Sequence, residues 1–164
     1  MDRFVIMGVS GCGKSSIGAA LANVIGAQFI DGDDLHPASN RTKMASGQPL
    51  NDDDRAPWLM RVGQALRQGN GPIIIGCSAL KRRYRDMIRS EAGQPVMFLY
   101  LSGSQKVLAA RMAARTGHFM PPTLLDSQLA ALEPPMPDEF AVTVDVDQTP
   151  GAIVDALLHL IKAG

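Results

Sequence analysis

Residues 8–15, Gly8-Val9-Ser10-Gly11-Cys12-Gly13-Lys14-Ser15, fit the pattern G-x-x-x-x-G-K-[ST] at every defined position. The chemistry of gripping a polyphosphate explains these residue types. Glycines let successive backbone N–H groups turn inward around phosphate oxygens, and a helix starting at the loop adds partial positive charge. Lys14 is suited to reach the β- and γ-phosphates, and the Ser15 hydroxyl to ligate Mg²⁺. The competing account is a glycine-rich turn that merely joins a strand to a helix. The apolar run Phe4 to Met7 before the loop and the helical spacing of 14–25 after it favour a nucleoside triphosphate site. Cys12, within the loop, reads as a small space-filling side chain and not as a reactive thiol.

A phosphate loop alone serves switches, motors, ATPases and small kinases. The chain has no Asn-Lys-x-Asp tetrad to read guanine, and the apolar run Ile73-Ile74-Ile75-Gly76 ends without a carboxylate. Acids instead follow an earlier run, as Asp31-Gly32-Asp33-Asp34. One carboxylate there could hold Mg²⁺ through water while another accepts a proton from an acceptor hydroxyl. Asp34 reads as a cap of the next helix. Phosphoryl transfer also needs cations beyond the γ-phosphate. Arg111 and Arg115, four apart on one helix face, are candidates, with a solvated face as the plainer alternative. Lys81, Arg85 and Arg89 form a second stripe, expected to be mostly solvent-facing, with Lys81 near enough to a strand tip to enter the site. A nucleic-acid contact is the rival reading of that stripe, weakened by an aromatic content of 5%.

These groups need a scaffold. Five short apolar runs (4–7, 27–30, 72–76, 96–101 and 141–146) alternate with helical patterns over 14–25, 52–68, 79–91, 104–115 and 149–162. Continuous apolar strands alternating with helices predict an α/β domain, a five-stranded parallel sheet covered on both faces. Two excursions interrupt the alternation. Residues 32–58 are polar and turn-rich, and 116–137 carry Pro121-Pro122 and Pro134-Pro135-Met136-Pro137. Ligands of open α/β sheets sit beyond the strands' carboxyl ends, so these are expected to form an acceptor flap and a lid.

At 164 residues the chain suits a single domain spanning 1–164, and its 46% hydrophobic content suits one sizeable core. Sixteen bases balance sixteen acids, which excludes a bulk polyelectrolyte partner such as nucleic acid. The charges are nevertheless segregated: 31–54 carries six acids and two bases, while 80–115 carries eight bases and two acids. No apolar run approaches a membrane span of roughly 18–20 residues, and Met1-Asp2-Arg3-Phe4 lacks the opening of an export signal. With only Cys12 and Cys77, a reducing cytoplasm and no membrane association are expected.

Further residues sharpen the picture. The chain resembles the thermoresistant-type gluconokinases, within the larger group of shikimate- and nucleoside-monophosphate-kinase-like enzymes, from about residue 4 to the end. The resemblance rests on the phosphate loop and on Asp31-Gly32-Asp33-Asp34-Leu35-His36-Pro37. It continues through Asn40, Lys43-Met44-Ala45-Ser46-Gly47, Pro49 to Arg55 and Pro57-Trp58-Leu59. Cys77-Ser78-Ala79-Leu80-Lys81, Tyr84-Arg85, Gly117-His118-Phe119-Met120 and Ser127-Gln128 complete it. Cys12 stands where Ser is frequent, and Leu129 where an aromatic is common.

The resemblance implies a P-loop kinase that uses ATP and Mg²⁺ to phosphorylate D-gluconate at its 6-hydroxyl, and a homodimer. ATP would be held by Gly8, Val9, Ser10, Gly11, Cys12, Gly13, Lys14, Ser15 and Ser16, with Arg111, Arg115, Gln148 and Pro150 around the adenine or the phosphates. Ser15 and Asp31 would hold the metal. Lys14, Asp33 and Arg115 would be catalytic, Asp33 as base or hydroxyl-orienting group. A polyol carboxylate needs a cationic clamp and polar partners. Arg55, Lys81, Arg85 and His118 are the available cations; Asp33, Ser78, Gln128 and His36 can meet hydroxyls. His36 and His118 could also act as bases, or as structural hydrogen-bonding groups. Trp58 reads as a packing anchor for the flap. Thr149 and Pro150 read both as a helix start and as part of an adenine-contacting loop.

Overall fold

The computed structural model describes residues 2–114 and 122–164. The five apolar runs become strands β1 (Arg3–Met7), β2 (Gln28–Asp31), β3 (Ile73–Gly76), β4 (Met97–Ser102) and β5 (Ala141–Asp145). They form one parallel sheet in the order β2-β3-β1-β4-β5. Helices α1 (Lys14–Ile25), α2 (Ala38–Ala45), α3 (Asp52–Gln68), α4 (Arg82–Ala92), α5 (Gln105–Ala114), α6 (Pro122–Ala131) and α7 (Pro150–Ala163) connect and cover it.

Side chains of the central strand alternate between two cores. Phe4 and Ile6 pack with Leu21 of α1, Leu99 of β4 and Leu157 of α7; Val5 and Met7 pack with Val62 of α3, Ile88 of α4 and Phe98 of β4. Period-2 alternation with both faces apolar is what a parallel sheet between helical layers requires. Phe4 lies opposite Ile74 on one side and Met97 on the other, so β1 sits between β3 and β4. The chain leaves β1 toward the β2 edge and later crosses β1 to reach β4. That topological switch opens a crevice at the carboxyl end of β1, where the phosphate loop follows.

The elements differ from the sequence expectation in three places. The helix expected over 79–91 starts at Arg82, because Cys77–Lys81 is irregular and Ala79 adopts a positive φ of 46°. The excursions contain helices α2 and α6; few apolar residues announce α2, while α6 packs Leu125 and Leu129 onto the core. Asp34 caps no helix. Asp31 caps the short 3₁₀ turn Gly32–Leu35 by accepting the Asp33 N–H at 3.0 Å, and Pro37 precedes α2.

Candidate active site

The phosphate loop joins β1 to α1. Gly13 caps α1 in the left-handed conformation (φ 93°, ψ 23°), which glycine adopts without a Cβ penalty. Lys14 therefore opens the helix, and its Nζ curls over the loop to the carbonyls of Gly8 (2.8 Å) and Val9 (3.2 Å). The Gly8 N–H donates to the Ser78 carbonyl at 3.3 Å, tying the loop to the segment after β3. Cys12 is fully buried in the core, in keeping with a space-filling role.

Gly32 fixes the acid cluster. A Cβ on it would lie 2.1 Å from the Gly76 carbonyl, so only glycine lets β2 end this close to β3. Trp58 donates its indole N–H to the Gly32 carbonyl at 2.8 Å and stacks on His36 with ring centroids 4.1 Å apart. Trp58 is thus the packing anchor of 32–58, pinning the turn that presents Asp31 and Asp33. Asp33 reaches solvent at the cavity mouth, yet surrounding protein desolvates it. That desolvation, reinforced by the charge of Asp31, holds its carboxyl above the usual value against the pull of Lys14 and His36. A carboxylate raised in this way is a better proton acceptor.

The loop and the acids line one cavity of about 520 Å³. Ser10, Lys14 and Ser15 of the loop line it together with Asp31, Asp33, Arg111 and Pro150. Arg111 bonds the carbonyls of Val146 and of Gln148 (3.0 Å), holding the turn before α7 against the cavity. Gln148 contributes that carbonyl. Thr149 caps α7 by accepting the Ala152 N–H, with Pro150 at the first helical turn, as read from the sequence.

Residues 38–55 are knitted together by hydrogen bonds. Asn51 and Asp54 form a capping box at the start of α3, Lys43 reaches Asp54 at 2.6 Å, and Asn40 donates to the Asp54 carbonyl at 2.8 Å. Asn40 also donates to Nδ1 of the buried His36 (3.2 Å), and burial holds the imidazole below its ordinary pKa. His36 is therefore neutral with its proton on Nε2, the one ring nitrogen left for an acceptor. Beside it a cationic group surrounds Tyr84: Arg55, Lys81 and Arg83 lie 5.7, 5.9 and 5.6 Å from the ring centre. The Tyr84 hydroxyl donates to Asp52, and Arg83 pairs with the same carboxylate. Sequence reasoning did not assign Tyr84 or Asp52 to the site. Tyr84 lies three residues beyond Lys81, and that spacing on a helical turn was the available signal.

Arg85 is corrected. It is completely buried, and its guanidinium is taken up by Glu139 (Nε to Oε1, 2.7 Å; Nη2 to Oε2, 3.0 Å) and by the Ala79 carbonyl (2.9 Å). No face remains for a substrate. The stripe is likewise not solvent-facing, since Arg89 also donates to Glu139 at 2.9 Å. Gln128, read as an acceptor ligand, accepts the Ser10 N–H at 2.6 Å and so meets the phosphate loop itself. Ser78 and Lys81 are both half-buried, Ser78 beside the phosphate loop and Lys81 beside Tyr84. Arg115 and His118 lie outside the described residues.

A phosphate loop at the switch point of a five-stranded parallel sheet, facing a carboxylate pair in one cavity, defines an α/β phosphotransferase of the P-loop kinase kind. A sequence profile of the AAA domain family matches residues 4–135. The thermosensitive gluconokinase of Escherichia coli K12 is 51% identical over 151 residues, covering 89% of this chain and 80% of the relative. The thermoresistant gluconokinase of the same organism is 44% identical over 165 residues, covering 98% and 94%. A gluconokinase crystal structure from Sinorhizobium meliloti 1021 superposes with a TM-score of 0.90 at 50% identity, covering 99% of this chain and 93% of that one. The chain belongs to the gluconokinase family.

Proposed function

We propose that this chain transfers the γ-phosphoryl group of ATP to the 6-hydroxyl of D-gluconate, giving 6-phospho-D-gluconate and ADP and feeding the catabolism of carbohydrate acids. The observation that carries this reading is the meeting of Lys14 and Asp33 in one cavity, in a chain of the gluconokinase family. Lys14 neutralises charge on the transferring phosphoryl, and the loop's N–H groups bind its oxygens. Asp33 orients the acceptor hydroxyl and takes its proton. Ser15 and Asp31 line the same cavity, and one hydroxyl with one carboxylate suits Mg²⁺, whose shell phosphates and water complete. Bound there, Mg²⁺ supplies charge neutralisation at the phosphates.

Arg55 and Lys81 are the clamp for the gluconate carboxylate, Arg55 offering the planar fork that matches it. Ser78, Gln128, His36 through Nε2, and His118 serve the hydroxyls, while Arg115 stabilises the phosphoryl in flight. Residues 32–58 act as the acceptor flap and 116–137 as the lid. The basic face of α4 supports a small-molecule acceptor over nucleic acid, because its guanidinium groups are engaged within the fold: Arg82 with Asp138, Arg83 with Asp52, Arg85 and Arg89 with Glu139. No described helix is long and apolar enough to cross a membrane. Two buried free thiols suit a reducing cytoplasm. The homodimer rests on the family resemblance, and light scattering on the purified chain tests it.

An ADP-release assay with gluconate, shikimate and other sugar acids tests the acceptor. Turnover with gluconate is expected; turnover with shikimate but not gluconate overturns the reading. Hydrolysis stimulated by nucleic acid and steeply suppressed by salt would favour the nucleic-acid alternative.

A further inference from the structure

Ala79 is the only non-glycine with a positive φ among the described residues (46°), and it lies between Ser78 and Lys81, the two residues assigned above to the acceptor. A left-handed alanine is uncommon, because Cβ crowds the carbonyl oxygen that follows it. Such a conformation persists where its surroundings over-determine it, and these positions cluster at functional sites. Three constraints meet here. The Ser78 carbonyl is fixed by Gly8 of the phosphate loop (3.3 Å), and the Leu80 carbonyl by the Glu133 N–H (2.7 Å). Between them, Nη1 of the buried Arg85 donates to the Ala79 carbonyl at 2.9 Å.

Arg85 is itself immobilised. Its other two nitrogens form a fork on Glu139, whose carboxylate also accepts from Arg89 and from the Met136 N–H (both 2.9 Å). A buried ion pair is not the cheapest way to fill space, since apolar residues of similar volume often serve stability as well or better. Here the pair delivers one guanidinium N–H to one strained carbonyl.

We propose that Arg85 is a positioning residue: braced by Glu139, it holds Ala79 in the left-handed conformation and thereby sets Ser78 and Lys81 for the acceptor. The inference rests on the acceptor-side assignment of those two residues. Arg85→Lys keeps the charge but cannot grip the carboxylate and the Ala79 carbonyl together. It should lower kcat/KM for gluconate about tenfold or more, with the dissociation constant of an ATP analogue changing less than about threefold, since small misplacements of positioning groups cost this much. Ala79→Gly in the Arg85→Lys background should recover several-fold of the loss, because glycine adopts this φ unaided. Thermal melts correct every value for the folded fraction.

Rescue by a glycine at position 79 is not expected if Arg85 only fills the core. Unchanged gluconate kinetics in folded Arg85→Lys, or no recovery in the double variant, overturns the proposal. If Arg85→Lys does not fold, Glu139→Asp, which retracts the carboxylate by one methylene, carries the same prediction and the same rescue. Wild-type turnover separates this claim from the acceptor assignment. If the wild type ignores gluconate, the assignment fails and the variants are read on the acceptor that the panel identifies. If it uses gluconate and the variants match it, the Arg85 claim fails.

Discussion

The carboxamide oxygen of Gln128 lies 2.6 Å from the backbone nitrogen of Ser10, so a side chain of α6 occupies one of the phosphate loop's own donors. A phosphate oxygen and Gln128 therefore compete for the same N–H. Gln128 lies within residues 116–137, the proposed lid, so this bond ties that segment to the phosphate loop.

Removing the competitor should tighten nucleotide binding. Gln128→Ala is expected to raise affinity for an ATP analogue about two- to tenfold, the equivalent of one net hydrogen bond of ~0.5–1.5 kcal/mol. Calorimetric titration checks this; weaker nucleotide binding would mean that Gln128 helps to hold the nucleotide.

Asp33 must be ionised to accept a proton, and desolvation followed by the Asp31 charge raises its pKa above that of an ordinary aspartate. The acid limb of kcat/KM against pH should accordingly lie above the ordinary aspartate range, with activity lost as pH falls through it. Asp33→Asn should abolish that limb and depress kcat while nucleotide affinity holds. Turnover near the wild-type value would remove Asp33 from the proton-accepting role.

Glu139 offers the opposite sign. The hydrogen bond from Arg85, opposed by desolvation, pulls its carboxyl down to about 2 from an ordinary 4.5. Its stabilisation is present in full above the unfolded value and disappears as pH falls from 4.5 toward 2. Glu139→Gln leaves a buried guanidinium unpaired and should destabilise the fold by ~3–5 kcal/mol at neutral pH. Urea unfolding at a series of pH values should show the gap to wild type narrowing across that acid window.

Gly32→Ala tests how the acids are presented. The new Cβ would collide with the Gly76 carbonyl, so the turn carrying Asp31 and Asp33 must move. A stability loss of ~1–3 kcal/mol is expected, with a larger proportional fall in kcat. Gly151→Ala, where a Cβ meets nothing within 4 Å, serves as the control and should leave the melting temperature unchanged or raised.

The strands and the phosphate loop were legible because each is specified locally. Buried parallel strands are continuous apolar runs, and a loop that grips phosphate demands glycines, a lysine and a hydroxyl at fixed spacing. Thr149-Pro150 as a helix start was legible for the same reason, and Trp58 as an anchor from its large amphipathic ring. Arg85 was not. Its spacing matches a solvated basic face, and only the distant Glu139, 54 residues along the chain, turns it inward. Nothing in the Pro-rich run before Glu139 marks that acid as its partner. Helix α2 was hidden because side-chain bonds such as Asn40 to Asp54 hold it in place of an apolar stripe, whereas α6 sets Leu125 and Leu129 on the core in a segment whose flanking prolines dominate the pattern. Gln128 was seen as a polar group of the site, but its aim at Ser10 depends on how α6 is set against the loop.

The central claim is phosphoryl transfer from ATP to the primary hydroxyl of gluconate. Phosphorus NMR of a reaction holding the chain, ATP, Mg²⁺ and gluconate tests it most directly. The account predicts a phosphomonoester whose phosphorus couples to the two protons of a CH₂–O–P group. An ester coupled to a single proton, as at a secondary hydroxyl, or no ester at all, would contradict it.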